Sequence, residues 1–313
     1  MSSVPSTVDV GAAGRRLPSP AAVLELLKPI TWFAPMWAFM CGVVSSGAPL
    51  SSRWPVALCG IVLAGPAVCA ASQAVNDWFD RHVDAINEPD RPIPSGRIPG
   101  RWGLAIAAAW SALSLALAAS LGAWVLGATV LALVLAWIYS APPLRLKRRG
   151  WWGPAAVGLS YEGLAWFTGA AAMTGGLPDG RIVATAGLYS FGAIGIMVLN
   201  DFKAVEGDRR TGVLSVPVDL GVEAAAWLAC LIMAAPQVVV IALLLSWGQP
   251  VAAAAVALSL AVQLRLMARL MRDPAKFAPW YNATGTSLYV LGMLAAGLGI
   301  AAHLHLLHPG ASA

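Results

Sequence analysis

A chain of 313 residues that is 58% hydrophobic and only 11% charged stands far from the roughly 25% charged composition of soluble domains, which excludes an ordinary water-soluble enzyme. Its mean hydropathy of +0.72 and repeated apolar runs of about 20 residues, each long enough to cross a hydrocarbon core as a helix, read as an all-α polytopic membrane protein. The net charge of +5 follows from how the basic residues are spread over the loops and gives no support for nucleic-acid binding.

Residues 1–20 are rich in Ser, Pro, Ala and Gly, carry Arg15 and Arg16, and have no apolar core before a small-residue cleavage site. A disordered cytoplasmic tail is predicted there, a single transmembrane domain over 21–305, and a short tail over 306–313. Without a long Ser-rich, acid-poor extension the chain reads as a bacterial inner-membrane protein. Nine spans are predicted, at roughly 30–48, 55–77, 102–121, 123–141, 152–175, 182–201, 222–247, 250–270 and 281–302. With the N-terminus in the cytoplasm, every Lys and Arg except Arg53 and Arg181 falls on the cytoplasmic side, as the positive-inside rule requires.

The second span ends in Asn76-Asp77-Trp78-Phe-Asp80-Arg-His-Val-Asp84. Asp77, Asp80 and Asp84 stand at i, i+3 and i+7 and share one face of a helix continuing past the membrane. Hard carboxylate oxygens that leave water on the metal suit Mg²⁺, which then commonly holds substrate phosphates, so the stripe points to a diphosphate. Trp78, between two of the aspartates, is a candidate aromatic wall beside the reacting centre. The segment that follows, Asn87-Glu-Pro-Asp-Arg91-Pro-Ile-Pro-Ser-Gly96-Arg97, is stiffened by proline and carries two guanidinium groups suited to phosphate oxygens.

The fourth span closes on Tyr139-Ser-Ala-Pro-Pro-Leu-Arg145-Leu-Lys147-Arg148-Arg149, readable as an orientation signal, an anionic-lipid contact or a substrate contact through Lys147 and Arg148. In the fifth, Glu162 is an acid inside a span, structural or substrate-binding. The sixth ends in a second acidic run, Asn200-Asp201-Phe-Lys203-Ala-Val205-Glu206-Gly-Asp208-Arg209, where Asp201 and Asp208 are i and i+7. One such run reads equally well as a solvated loop balanced by nearby arginines. Two on one membrane face, each opened by Asn-Asp on spans of like direction, instead suggest two four-helix halves facing a central cavity, with a ninth helix added. Cys41, Cys59, Cys69 and Cys230 lack metal or disulfide spacing, most of the 14 tryptophans suit an interfacial belt, and His82, His303, His305 and His308 are not taken as ligands.

At Asn76 to Asp84 the chain resembles the UbiA superfamily of intramembrane prenyltransferases. Asp90 to Gly96, Tyr139 to Lys147 and Asn200 to Arg209 are similar to its chlorophyll synthase branch, and Ser72 to Gly100 most resembles the bacteriochlorophyll-forming members. The resemblance implies a nine-helix UbiA-type bundle with a central cavity opening near the cytoplasmic face. It implies a prenyltransferase that esterifies the 17-propionate of bacteriochlorophyllide a with a geranylgeranyl or phytyl group from its diphosphate, releasing diphosphate in the last stage of bacteriochlorophyll synthesis. Two Mg²⁺ ions, or Mn²⁺ in their place, would be held by Asp77, Asp80 and Asp84 and by Asp201 and Asp208. Asn76, Trp78, Arg91, Tyr139, Lys147, Arg148, Asn200, Lys203 and Arg209 would bind substrate, and photosynthetic assembly proteins are expected neighbours. The family's second motif is often Asp-x-x-x-Asp, whereas position 205 is Val, which leaves Glu206 as an alternative ligand. Other acceptors, a cation-coupled transporter and a non-catalytic pigment-binding protein are the competing readings.

Overall fold

The computed structural model describes residues 17–307. Residues 1–16 and 308–313, which hold most of the two predicted tails and His308, lie outside the described residues. Among those described, the regular structure is helical, joined by turns and loops, apart from an isolated bridge between Arg149 and Leu214.

Helix α1 (Pro20–Leu27) begins where the Ser19 hydroxyl accepts from the Ala22 amide at 3.3 Å, a side-chain cap for an otherwise orphan donor. It stops at Lys28, whose φ of 47° is left-handed. After a turn at Pro29–Thr31 the chain enters α2 (Phe33–Ser45), bent 56° from the preceding segment. The first predicted span is therefore the second limb of a broken pair.

Helix α3 (Leu50–Asn87) runs for 38 residues. It passes through a π-helical turn, Leu63–Cys69, with Pro66 inside it; proline has no N–H for the α-helical ladder, and a widened turn accommodates the gap. Beyond the predicted end at 77 the helix continues unbroken, carrying all three aspartates of the first run. Helices α4 (Trp102–Leu121) and α5 (Ala123–Ser140) follow as predicted.

Helix α6 (152–174) joins Trp152–Gly158 to Ala165–Thr174 through a second π-helical turn, Leu159–Leu164. Then come α7 (Gly180–Asn200), a 3₁₀ turn at Asp201–Ala204, α8 (Val205–Thr211), α9 (Val216–Leu220), α10 (Val222–Ser246), α11 (Pro250–Leu270) and α12 (Pro274–Leu307). Among the described residues seven helices are long and apolar enough to cross a membrane, and the α1–α2 pair makes eight. The predicted fifth span, α6, is not among them, because Ser160, Tyr161 and Glu162 dilute its hydropathy; these side chains face a cavity rather than lipid.

Close helix approach and polar contacts hold the bundle, as expected where lipid is as apolar as the side chains. A Cβ on Gly42 of α2 or Gly169 of α6 would strike the backbone of the other helix. Trp166 donates to the Ser45 hydroxyl at 2.9 Å, Tyr289 to the Tyr189 carbonyl at 2.6 Å, and Gln237 and Gln263 exchange amide hydrogen bonds between α10 and α11.

Several basic segments gather at one end of this bundle. Arg97, after α3, pairs with Glu25 on α1; Lys28 reaches Asp77; Lys147, after α5, reaches Asp80; and the Gly150 amide bonds the Leu214 carbonyl at 2.8 Å.

Candidate functional site

A cavity of about 650 Å³ opens among α2, α3, α5, α6, α7 and α12, and both Asn-Asp pairs meet on it through Asn76 and Asn200. Asn76 donates to the Ser140 hydroxyl at 3.1 Å, and Asn200 accepts from Asn282 of α12 at 2.9 Å. Tyr139 lines the same space and lies within electrostatic reach of Asp80, Asp201 and Asp208. Two acidic runs far apart in sequence are thus brought to one site.

In the first run each aspartate is met by a cation from another segment. Asp77 is 2% exposed, with Lys28 Nζ at 2.6 Å and Arg91 Nη1 at 3.5 Å. Arg91 also reaches Asp84 at 2.9 Å and Glu88 at 2.6 Å. Burial opposes the Arg91 charge, yet the surrounding acids hold its pKa above the ordinary value. Lys147 Nζ lies 2.5 Å from both Asp80 oxygens. Burial lowers the Lys147 ammonium below its usual value, and the Asp80 carboxylate recovers part of that loss.

The donor chemistry fits a hard divalent cation. The oxygens are carboxylate, and Asp77 Oδ2 is buried with no hydrogen-bond partner. Among the described residues no three metal-binding side chains converge on one point; Lys28, Arg91 and Lys147 stand against the carboxylates, so a bound metal would take their place.

The second run departs from its predicted geometry. Asp201 lies in the 3₁₀ turn and Asp208 in α8, so a tightened turn replaces the uniform helix of the prediction, while Asp208 still acts electrostatically on Asp201. The tighter turn places Phe202 in the core beside Val198, Leu199 and Val216. Glu206 turns to Arg210 on its own helix at 2.9 Å and is exposed. Lys203 is exposed but within electrostatic reach of Asp201, while Arg148 and Arg209 are exposed.

Trp78 does not line the cavity. Its ring lies under the Arg81 guanidinium, 4.1 Å from the centroid, and against Gly103 of α4. The aromatic lining comes instead from Phe33, Tyr139 and Tyr161. Arg97, offered as half of a phosphate clamp, ties its loop to α1 through Glu25 and to the Asp90 carbonyl at 2.5 Å. Sequence reasoning missed Gln73, Tyr161 and Asn282. Gln73 sits one helical turn before Asn76, and Tyr161 adjoins the in-span Glu162; those spacings were the available signals. Asn282 had none.

The model of the UbiA prenyltransferase family matches residues 33–283. The chain belongs to this family. The bacteriochlorophyll synthase 33 kDa chain of Cereibacter sphaeroides is 58% identical over 294 residues, 94% of this chain and 97% of that protein. The chloroplastic chlorophyll synthase of Oryza sativa is 38% identical, covering 88% of this chain and 75% of that protein. A solved UbiA homologue from Archaeoglobus fulgidus bound to DMAPP and Mg²⁺ superposes with a TM-score of 0.73 at 22% identity, covering 90% of this chain and 99% of that one, a likeness of fold.

Proposed function

We propose that this UbiA-family chain is a prenyltransferase that esterifies the 17-propionate of bacteriochlorophyllide a with a geranylgeranyl or phytyl group from its diphosphate. The observation that carries the reaction class is the meeting of both Asn-Asp pairs on one cavity, with Lys28, Arg91 and Lys147 at its acidic end. The choice of acceptor is supported by the near-full-length likeness to the bacteriochlorophyll synthase chain.

The isoprenoid tail would lie against apolar wall residues such as Leu135, Ile196 and Val290, and the diphosphate at the Asn76 and Asn200 end. Lys28, Arg91 and Lys147 would exchange carboxylate for phosphate oxygens, which suit charged N–H donors equally well. Mg²⁺ on Asp77, Asp80 and Asp84, with a second ion on Asp201 and Asp208, would neutralise charge on the departing diphosphate. The allylic C–O bond breaks with its electron pair going to the diphosphate, and a propionate oxygen forms the new C–O bond. The acceptor is already a carboxylate at neutral pH, so no strong general base is required. The apolar walls would keep water from the allylic cation, and Tyr139, which lines the cavity, would face it with its ring.

We place nine spans in the bacterial inner membrane by adding α6 to the eight that qualify on length and apolarity. The N-terminus, both acidic runs and the cavity mouth face the cytoplasm, supported by the gathering of basic segments at one end. A cysteine at Ser95 should then be labelled only from the cytoplasmic side. The reaction is tested by giving isolated membranes Mg²⁺, bacteriochlorophyllide a and each prenyl diphosphate, with mass spectrometry of the pigment. Esterified bacteriochlorophyllide is expected; prenylation of haem or an aromatic acid in its place would refute the acceptor.

A further inference from the structure

Glu162 has no part in the transfer described above. It stands on the π-helical turn of α6 together with Ser160 and Tyr161, all three lining the cavity. The turn lies about 15 Å along α6 from its start at the acidic end, at 1.5 Å per residue, roughly half the depth of a ~30 Å hydrocarbon core. Turns of this kind widen a helix locally and are frequent at functional sites.

Glu162 is 7% exposed, and its Oε2 is buried with no hydrogen-bond partner. No Lys, Arg or His among the described residues forms an ion pair with it. A buried carboxylate without a cation is costly, and a neutral carboxyl has an O–H that needs an acceptor. Its neighbour is fixed in place: Gln73 donates to the Tyr161 hydroxyl at 3.0 Å, and the Cys69 thiol approaches it at 3.4 Å. The cavity therefore has a polar patch that begins one helical turn of α3 away from Asn76 and extends to Glu162.

Neither half of a prenyl diphosphate suits that patch. An isoprenoid tail offers only C–H groups, and a diphosphate would meet an acid where no cation stands. The remaining substrate, a planar and largely apolar macrocycle with carbonyl groups on its rim, offers the missing acceptor.

We propose that Glu162 binds the acceptor substrate, its carboxyl donating a hydrogen bond to a rim carbonyl of a bacteriochlorophyllide-class macrocycle. The inference rests on the proposed function and names the contact that selects and orients the acceptor within it. Anchored there, the macrocycle extends its propionate toward the diphosphate end. An acceptor lacking the carbonyl leaves the buried carboxyl unpaired, a penalty that rejects analogues far more strongly than loss of an apolar contact.

The test uses the full chain in nanodiscs, with Glu162→Leu and Glu162→Gln. Pigment affinity is read by fluorescence quenching with bacteriochlorophyllide a and its metal-free counterpart, and KM is measured for both substrates. Glu162→Leu should weaken both pigments about tenfold, the scale of one lost buried hydrogen bond, and leave the KM for prenyl diphosphate within about twofold. That second KM also reports an intact fold. Glu162→Gln keeps an N–H donor in place and should stay within about threefold of wild type.

Unchanged pigment affinity in Glu162→Leu overturns the proposal. So does a loss confined to the magnesium pigment, which would make Glu162 a magnesium ligand. A wild type that neither binds nor esterifies the pigment sinks the functional reading itself, whereas wild-type esterification with an unaffected Leu variant removes only the role of Glu162.

Discussion

The two Asn-Asp ends hold their carboxylates in different ways. After Asn76, helix α3 runs on unbroken to Asn87, and its aspartates meet Lys28 from the α1–α2 bend, Arg91 from the following loop and Lys147 from the loop after α5. After Asn200 the backbone tightens into a 3₁₀ turn, Asp201 and Asp208 fall on different elements, and Glu206 pairs within its own helix. The first end is positioned by tertiary structure, with cations from three segments converging on one helix face. The second is positioned by a local tightening of the helix. Losses at the first end should therefore be larger and should couple to one another.

The strongest way to break this comparison is Asp80→Ala. It removes a proposed ligand from the rigid face and leaves Lys147 half-buried without its carboxylate. Turnover should fall by about 10²–10³, the scale of losing a preorganised group that stabilises developing charge. Esterified pigment per unit of accumulated protein, measured chromatographically, is the readout. Near wild-type rates at saturating Mg²⁺ would remove the metal role from this run.

Lys147→Met comes next. Charge-assisted hydrogen bonds are worth more than neutral ones, so the KM for prenyl diphosphate should rise about tenfold or more. Arg148→Ala, one residue on but exposed, should change it by about threefold at most. Equal effects would mean that the basic stretch acts as a diffuse charge rather than through one placed ammonium.

Much of this architecture was legible because hydropathy and charge are read residue by residue. The apolar runs give α4, α5, α10 and α11 nearly to the residue, and the basic loops fall at one end of the bundle. What could not be read depends on contacts between distant segments. Lys28 looks like an orientation signal until the α1–α2 bend delivers it to Asp77. Trp78 follows a ligand candidate in sequence, yet helical rotation turns it toward Gly103 and α4. The 3₁₀ turn that separates Asp201 from Asp208 accompanies burial of Phe202, which sequence spacing does not reveal. Both π-helical turns escape a 3.6-residue periodicity, and one of them places Tyr161 and Glu162 on the cavity.

At the second end the comparison is sharpened by three variants. Asp201→Asn and Asp208→Asn should each slow esterification about tenfold and raise the Mg²⁺ concentration needed for half-maximal rate, while Glu206→Gln, directed to Arg210 and solvent, should stay within about twofold. A raised Mg²⁺ requirement in Glu206→Gln alone would transfer the ligand role to Glu206, despite its pairing on α8.

The smallest effect is expected at the outer attachment of α1. Arg97 and Glu25 are 44% and 49% exposed, and ion pairs at that exposure contribute little because water and salt screen them. Lys28 sits on the same α1 segment but faces Asp77, whose side chain is 3% exposed, where loss of the cation leaves a buried carboxylate less compensated. Arg97→Gln should therefore leave esterification within about twofold, and Lys28→Gln should reduce it about tenfold. Combining Arg97→Gln with Glu25→Gln should cost no more than either alone, since each already removes the same exposed pair. If Arg97→Gln proves as damaging as Lys28→Gln, then what the acidic face needs from α1 is its attachment to the Asn87–Arg97 loop, and the ammonium beside Asp77 is secondary.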